Sequence, residues 1–307
     1  MRIVYMGTPD IAVPCLRLLA ESKHEVVGVF TQPDRPKGRG HHTIPTPVKA
    51  AALEYNIPVY QPLSLRRGED AEAAMETLRQ LAPDLIVVMA YGQILPKAVL
   101  DLPPHHCINM HASLLPAYRG AAPIQWVILN GETKTGITAM QMAEGLDTGD
   151  MLLKKEIDIG SEETAAELHD RLAELAAETL QETLAALENG TLTAEPQDDA
   201  LSSYASRITK EMSELDFTKP AAELHDLIRG ITGFTMLDGK RLKVYASRVV
   251  EDVSGAPGTI ADPAEFVVAC GDGNGLRLTE IQPEGKRRMA AADFLRGKKL
   301  TNGETLG

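Results

Sequence analysis

The sequence predicts an α/β domain built on a doubly wound, mostly parallel sheet, followed by a small, OB-like β-barrel domain. In the first half, short apolar strand candidates alternate with helical segments, which is typical of a parallel sheet covered by helices. After residue 206, short strand candidates separated by turn signals indicate a small barrel or sandwich, and the basic residues between them favour a barrel. The 307 residues also suit two domains. We therefore expect an α/β domain at residues 1–189, a linker at 190–206 and a barrel domain at 207–307.

The strand candidates of the first half are short runs of β-branched and aromatic residues. They cover residues 2–6, 24–31, 84–89 and 107–110, and a helix is predicted at residues 11–21. The run at 84–89 is almost entirely apolar, as expected for a strand buried on both faces. Ligands of such sheets bind at the carboxyl ends of the strands, so functional residues are expected there.

A long helix and a polar segment close the first half. Alanines and leucines at helical spacing predict a helix at 161–189, with Ser161 as a possible cap and Asn189-Gly190 as its end. The polar stretch that follows resembles an interdomain linker. Beyond it, one helix at 221–229 precedes strand candidates at 234–236, 241–250, 258–260, 266–270 and 276–281.

Composition excludes several classes of protein. The hydrophobic fraction of 44% and the charged fraction of 24% are those of an ordinary globular chain. No apolar run reaches the roughly 18 residues that a membrane-spanning helix needs, and the first run is too short for a secretory signal. Three cysteines, an odd number spaced far apart, fit neither a disulfide framework nor a paired-thiol metal site. We expect a reducing, cytoplasmic location.

An unusual loop lies at residues 32–47. Its prolines and glycines disfavour a helix, and it is longer than the roughly 2 to 6 residues usual for such connections. Long loops in compact domains are generally functional or disordered. The first turn, Gly7-Thr8-Pro9-Asp10, lacks the second and third glycines of a dinucleotide fingerprint, which disfavours nicotinamide binding.

Two polar residues end a predicted strand. Asn109 and His111 are two positions apart, so their side chains point to the same face. An amide donor beside an imidazole suits acyl transfer, in which an oxyanion develops while a proton moves. By spacing alone, a structural role for both remains open. An acidic loop at 145–150 offers Asp147, with Asp150 as the competing choice, although Asp in a glycine-rich turn is often turn chemistry alone.

Four motifs, however, are long and specific. They are NMHASLLPAYRGAAPIQ at 109–125, GLDTGD at 145–150, FTQPDRPKGRG at 30–40 and AYGQILP at 90–96. Together with the two-domain layout, they resemble the formyltransferases that use 10-formyltetrahydrofolate. The resemblance extends over essentially the full chain and is greatest to the members that formylate methionine on initiator tRNA.

The resemblance implies a catalytic triad of Asn109, His111 and Asp147. The methionine α-amino group would attack the formyl carbon on N10 of the folate. Asn109 would hold the oxyanion of the tetrahedral intermediate with the assistance of His111, while Asp147 would orient the imidazole and help move the proton from the amine to N10. No metal is expected. The residues expected to contact the folate are Ser113, Leu114, Leu115, Pro116, Met89, Tyr91 and Gly92.

The resemblance also implies contacts with tRNA. The loop at 32–47 would reach the acceptor end, with Arg39 as its basic contact and Arg35 and Lys37 adding charge. The formal net charge of -12 resides entirely in residues 1–200, so binding would depend on local basic patches. The barrel would dock on the tRNA body through a basic patch comprising Lys286, Arg287, Arg288, Lys298 and Lys299.

Family members often carry further lysine or arginine where this chain has His41, His42 and Ala117. Neutral histidines contribute little charge, so tRNA affinity would be weaker or would depend on pH. Two other hypotheses remain. The first keeps the chemistry but transfers formyl to a small amine, such as a nucleotide-linked sugar or glycinamide ribonucleotide. The second is a noncatalytic tRNA- or folate-binding protein. We expect a monomer.

Overall fold

The computed structural model describes residues 1–37 and 42–307. The strands are β1 (Arg2–Gly7), β2 (Glu25–Phe30), β3 (Arg35–Lys37), β4 (His42–Ile44), β5 (Val59–Tyr60), β6 (Leu85–Met89), β7 (Cys107–His111), β8 (Arg119–Gly120), β9 (Lys134–Gln141), β10 (Met151–Asp158), β11 (Tyr204–Ala205), β12 (Gly233–Leu237), β13 (Lys240–Val250), β14 (Ile260–Asp262), β15 (Val267–Ala269), β16 (Gly275–Pro283) and β17 (Met289–Ala290). The helices are α1 (Val13–Ala20), α2 (Pro47–Glu54), α3 (Glu69–Leu81), α4 (Lys97–Leu100), α5 (Pro123–Leu129), α6 (Ala165–Glu188), α7 (Ala221–Ile231) and α8 (Ala291–Gly297).

The chain forms two compact units. The first contains residues 1–120, 135–157 and 169–205, and the second contains 121–134, 158–168 and 206–307. The first unit is a mostly parallel α/β sheet and the second is an antiparallel β-rich domain, which confirms the predicted fold class. Two segments that lie before residue 189 therefore group with the second unit. The predicted domain boundaries remain a prediction.

The first unit has a seven-stranded sheet in the order β10-β9-β7-β6-β1-β2-β5. Strands β1, β2, β5, β6 and β7 are parallel, whereas β9 runs antiparallel to β7. Because successive strands are added on both sides of β1, the strand order switches there, and a crevice opens at the carboxyl ends. Register places Gly7 beside Met89, and Val88 beside Asn109, at this edge.

The apolar runs predicted as strands form β1, β2, β6 and β7, and every residue of β6 and β7 is buried. The predicted helix at 11–21 forms as a turn at Asp10–Ala12 followed by α1. Ser161 does not cap α6, which begins at Ala165. Thr164 caps it instead: its backbone N–H donates to the Glu167 carboxylate over 2.8 Å, and its hydroxyl accepts from the Glu167 N–H over 3.3 Å. This reciprocal pair is a capping box.

Within residues 32–47, the loop contains two short antiparallel strands, β3 and β4, in which Arg35 pairs with Ile44. Proline does not prevent this pairing, because both strands of a two-stranded ribbon are edges. The base of the ribbon is fixed by Lys49, whose ammonium lies 2.5 Å from Asp34 and 2.8 Å from the Gln61 amide oxygen. The hydrogen bond from Lys49 lowers the pKa of the Asp34 carboxyl. Arg39 and His41 lie outside the described residues.

The segment at 190–206, predicted as a linker, makes specific contacts with the first unit. Met151 and Glu195 exchange two backbone hydrogen bonds of 2.8 Å. Further along, β11 pairs in parallel with β8, and the Ser203 hydroxyl accepts from the Tyr118 N–H over 2.8 Å. These bonds hold the segment against the strand and loops that surround the site described below.

In the second unit, the antiparallel sheet has the order β12-β13-β16-β15-β14, with β17 paired to β16. The C-terminal tail lies along both edge strands: Ile260 donates to the Glu304 carbonyl over 2.8 Å, and Gly307 donates to the Met236 carbonyl over 3.0 Å. The tail thereby closes the sheet into the predicted barrel. Helix α7 packs against β13 and contributes Leu224 and Ile228 to the core.

Candidate active site

The carboxyl end of β7 carries two of the predicted catalytic residues. Asn109 and His111 lie on the same face of the strand and are 9% and 6% exposed. The Asn109 side chain makes no hydrogen bond with any described residue. A nearly buried amide without a partner is costly, so this amide is available for a ligand oxygen or nitrogen at the crevice.

His111 is held by a backbone carbonyl. Its Nε2 lies 2.9 Å from the Tyr118 oxygen, and because a carbonyl only accepts, Nε2 is the donor. In the neutral ring, Nδ1 is then a proton acceptor, and it faces the Asp147 carboxylate at 3.7 Å. That separation is longer than a hydrogen bond. Two proton acceptors therefore lie side by side, and an amine placed next to them could donate a hydrogen bond to either one.

Asp147 reaches this position through an unusual backbone. Its φ of 52° lies in the left-handed region, which Asp tolerates better than most residues, and its carboxylate accepts from the Gly120 N–H over 2.8 Å. Nearby, Gly149 lies so close to the chain that a Cβ would stand 1.7 Å from the Gln141 carbonyl oxygen. The GLDTGD motif therefore fixes a tight loop. Of its two acidic residues, Asp147 is the one beside His111.

Sequence reasoning missed two residues that support the loop carrying Asp147: Gln197 binds the loop directly, and Arg119 binds Gln197. Gln197 donates to the carbonyl oxygens of Asp147 and Gly149 over 2.8 and 2.7 Å. Its amide oxygen accepts from Arg119 Nε over 3.0 Å, and the other end of this nearly buried guanidinium binds Asp199. Gln197 falls in the segment predicted as a linker, and bonds between residues 50 positions apart leave no local pattern.

The predicted folate loop contains residues of two kinds. Ser113 and Leu115 are fully buried: the Ser113 hydroxyl donates to the Ala117 carbonyl over 2.7 Å, and the Leu115 N–H donates to the Thr138 hydroxyl over 3.1 Å. These two residues shape the loop from within. Leu114 and Pro116 are half-buried, so they offer surface to a ligand. Their folate contacts remain a prediction.

At the end of β6, Met89 and Tyr91 are buried and Gly92 is exposed. The Tyr91 carbonyl accepts from the Thr8 hydroxyl over 2.8 Å, which ties this turn to the end of β1. Burial raises the pKa of the Tyr91 phenol, whose hydroxyl has no hydrogen-bond partner among the described residues. Exposed Gly92, with a φ of 86°, adopts a turn that strongly favours glycine.

The residues of the predicted basic patch are exposed apart from half-buried Lys298, and two of them are already paired. Arg288 binds both Glu280 carboxylate oxygens, and Lys298 binds Asp238 at 2.5 Å. These carboxylates raise the pKa of both basic groups. Lys286, Arg287 and Lys299 make no salt bridge with a described residue. The predicted basic patch is therefore partly neutralised by acidic residues on neighbouring elements.

Arg35 is exposed, whereas the side chain of Lys37 lies outside what the structure describes.

Residues 1–37 and 42–307 contain no group of three or more His, Cys, Asp or Glu side chains that could hold a metal ion. The absence of a metal remains a prediction. Cys15, Cys107 and Cys270 are free and buried, and burial raises the pKa of Cys107 to about 12, as expected for an unreactive thiol. No helix among the described residues is long and apolar enough to cross a membrane.

Comparison with known proteins decides the family. The formyl transferase family model matches residues 1–184, and the model of the formyl transferase C-terminal domain matches residues 207–299. The chain belongs to the formyl transferase family. The family predicted from the motifs is thereby confirmed. Relatives called methionyl-tRNA formyltransferase are 52% identical in Alkaliphilus oremlandii and 51% identical in Geobacter sulfurreducens. The alignments cover 100% of this chain and 100% and 97% of those proteins.

Solved structures of the family share the fold at lower identity. An N-formyltransferase from Helicobacter canadensis, in complex with folinic acid and dTDP-3-aminofucose, has a TM-score of 0.68 at 20% identity, covering 92% of this chain and 99% of that one. A glycinamide ribonucleotide transformylase from Symbiobacterium toebii has a TM-score of 0.53 at 18% identity, covering 64% and 94%. At these identities the likeness shows the fold alone.

Proposed function

We propose that this protein transfers a formyl group from 10-formyltetrahydrofolate to the α-amino group of methionine on initiator tRNA, for translation initiation. One observation carries the chemistry: the Asn109 amide, which has no partner among the described residues, lies on the same strand face as His111, whose Nδ1 faces Asp147 at 3.7 Å. The choice of methionyl-tRNA as the formyl acceptor is supported by the relatives called methionyl-tRNA formyltransferase. Their sequences are 52% and 51% identical to this chain over its full length.

In this proposal Asn109 acts on the formyl oxygen. When the amine attacks the formyl carbon, negative charge develops on that oxygen, and the Asn109 amide N–H donates a hydrogen bond to it. Because the amide is already placed and nearly desolvated, the hydrogen bond strengthens without reorganisation as the charge develops. Neutral His111 accepts at Nδ1, so it could assist at the oxyanion only after it gains a proton.

His111 and Asp147 act on the proton. The attacking nitrogen must lose a proton as the new C–N bond forms, and N10 of the folate gains one as its bond to the formyl carbon breaks. The two proton acceptors, 3.7 Å apart, attract the N–H of the attacking amine. The Tyr118 carbonyl orients the imidazole in this structure, and the Asp147 carboxylate lies 3.7 Å from its other nitrogen, Nδ1.

The folate itself would occupy the crevice between the ends of β1, β6 and β7. Half-buried Leu114 and Pro116, with the turn at Gly92, are the surfaces available to the pterin, while Ser113, Leu115, Met89 and Tyr91 support them from the core. The free Asn109 amide fits an incoming carbonyl oxygen. We infer that the folate is the formyl donor on this fit and on the family membership.

We predict that Arg39→Ala raises the KM for methionyl-tRNA by about 10-fold and leaves the KM for the folate unchanged. Each charged hydrogen bond to a phosphate contributes about 1.5 to 3 kcal/mol, so its loss weakens tRNA binding by roughly this factor or more. Steady-state kinetics at fixed salt measures both constants. Arg66→Ala, an exposed arginine outside the loop, is the matched control. An unchanged tRNA dependence would exclude Arg39 from the contact.

A second prediction concerns the unpaired part of the basic patch. Replacing Lys286, Arg287 and Lys299 together by glutamine weakens tRNA binding and reduces the slope of log affinity against log salt by up to about three, one for each lost phosphate contact. Equilibrium binding at several salt concentrations measures the slope. The control neutralises Arg66, Arg67 and Lys154, three exposed basic residues of the first unit. Equal slopes for the two triple variants would contradict docking through this patch.

The experiment that tests the proposed function is transfer of labelled formyl from 10-formyltetrahydrofolate. Charged initiator tRNA should accept the label efficiently, and the small amines of the alternative hypothesis, a nucleotide-linked amino sugar and glycinamide ribonucleotide, should not. The reverse preference would replace methionyl-tRNA by a small amine. No transfer to any acceptor would favour a noncatalytic binder. A cytoplasmic location and a monomeric state belong to the same proposal.

A further inference from the structure

We infer that Gln197 is a positioning residue that holds Asp147 beside His111. The inference rests on the proposed function, since it concerns the same proton-transfer pair. Gln197 belongs to the segment that follows α6, and no sequence motif pointed to it. Its importance follows from where its three hydrogen bonds go.

The amide group of Gln197 is almost fully used. Both hydrogens of Nε2 are directed at the acidic loop, one at the Asp147 carbonyl over 2.8 Å and one at the Gly149 carbonyl over 2.7 Å. Glutamine has only two N–H donors, so no other donation remains to it. Gln197 therefore bridges the backbone carbonyls of Asp147 and Gly149, on either side of Thr148, in the loop that carries the Asp147 carboxylate.

The other end of the amide is anchored. Gln197 Oε1 accepts from Arg119 Nε over 3.0 Å, and the Arg119 side chain is only 11% exposed. The residue after Arg119 is Gly120, whose N–H donates to the Asp147 carboxylate over 2.8 Å. The loop is thus held twice from the same place: Gly120 holds the carboxylate, and Gln197, through Arg119, holds the backbone.

The loop needs such support. Asp147 has a φ of 52°, a left-handed conformation that is strained for a residue with a Cβ and persists only when the surroundings enforce it. Leu146 and Thr148 are exposed, so the neighbours of Asp147 contribute little packing. Without Gln197, two carbonyls lose their donor and the backbone can relax, which moves the carboxylate from its place 3.7 Å from Nδ1.

The test is a double-mutant cycle on kcat for methionyl-tRNA, measured by steady-state kinetics. Gln197→Met keeps the length of the side chain and removes its hydrogen bonds. It should lower kcat by about 10- to 100-fold, the cost of a displacement of about 1 Å at a reacting group. The KM values for folate and tRNA should change less than about 2-fold. Gln80→Met, at an exposed glutamine of α3 that binds Glu76, is the matched control.

The decisive arm repeats Gln197→Met in an Asp147→Asn background. If Gln197 acts through the Asp147 carboxylate, the Asp147→Asn variant has no carboxylate left for Gln197 to position. Adding Gln197→Met to that variant should then lower kcat by less than about 2-fold more. A merely structural role would give the same fold loss in both backgrounds, and that result would overturn the inference. So would a kcat within 2-fold of the wild type for Gln197→Met in the otherwise native enzyme.

A second variant separates the two ends of the amide and guards against misfolding. Gln197→Glu keeps the acceptor for Arg119 but has no donor for the two carbonyls, so it should lose kcat as Gln197→Met does. Retained activity in Gln197→Glu would contradict the assigned contacts. Thermal unfolding checks that both variants are folded. An inactive wild type would contradict the proposed function and this inference with it, whereas an active wild type with an additive cycle would overturn the inference alone.

Discussion

Replacing Asn109 by alanine is expected to lower kcat by about 10²- to 10³-fold, the usual loss when one donor to a developing oxyanion is removed. The amide has no partner among the described residues, so its removal breaks no internal hydrogen bond. Folate affinity should remain largely intact, because the contact strengthens only as charge develops. Pre-steady-state formyl transfer and equilibrium folate binding measure the two quantities.

The control for Asn109→Ala is Asn189→Ala, which changes an exposed asparagine at the end of α6. Thermal unfolding should show that both variants are folded. If Asn109→Ala retains more than about half of the wild-type kcat, the amide does not hold the oxyanion. If folate affinity falls as much as kcat, the amide binds the ground state equally well and contributes nothing specific to the transition state.

Asp147→Ala is expected to lower kcat by about 10²- to 10⁴-fold, the range for removing a group that takes part in proton transfer or supports the residue that does. The variant deletes the carboxylate that faces His111 and accepts from the Gly120 N–H. Folate binding should change little, since the loss falls on proton movement.

The control for Asp147→Ala is Asp170→Ala, at an α6 carboxylate that is 85% exposed. The competing carboxylate provides a second comparison, because Asp150→Ala should be far less damaging if Asp147 alone serves His111. Equal losses for the two variants would leave the assignment of Asp147 unsupported. Retained turnover in Asp147→Ala would remove it from the mechanism.

Much of the fold follows from local sequence. The apolar run at 84–89 became β6 because a strand buried on both faces has no polar position to accommodate. Asn109 and His111 share a face because side chains alternate along a strand. Their convergence at the site could therefore be predicted from their separation of two residues. The strand order then placed them at the carboxyl edge, where ligands of such sheets bind.

One feature that sequence reasoning missed is local. Thr164, and not Ser161, caps α6, because Glu167 lies three residues after Thr164 and completes a capping box with it. The other missed features depend on distant partners. The patch on the barrel looked strongly basic along the chain. Folding brings Asp238, which is 60 positions away, to Lys298 and so lowers its local charge. Gln197 escaped notice because it binds backbone carbonyls 50 and 48 positions away.

The central claim is that Asn109, His111 and Asp147 surround one formyl carbon. A crystal structure with a stable analogue of 10-formyltetrahydrofolate tests it most directly. We expect the formyl oxygen about 2.7 to 3.1 Å from Asn109 Nδ2, with His111 Nδ1 and the Asp147 carboxylate both facing the side from which the amine attacks. A formyl group bound away from Asn109, with the Asp147 carboxylate directed elsewhere, would contradict it.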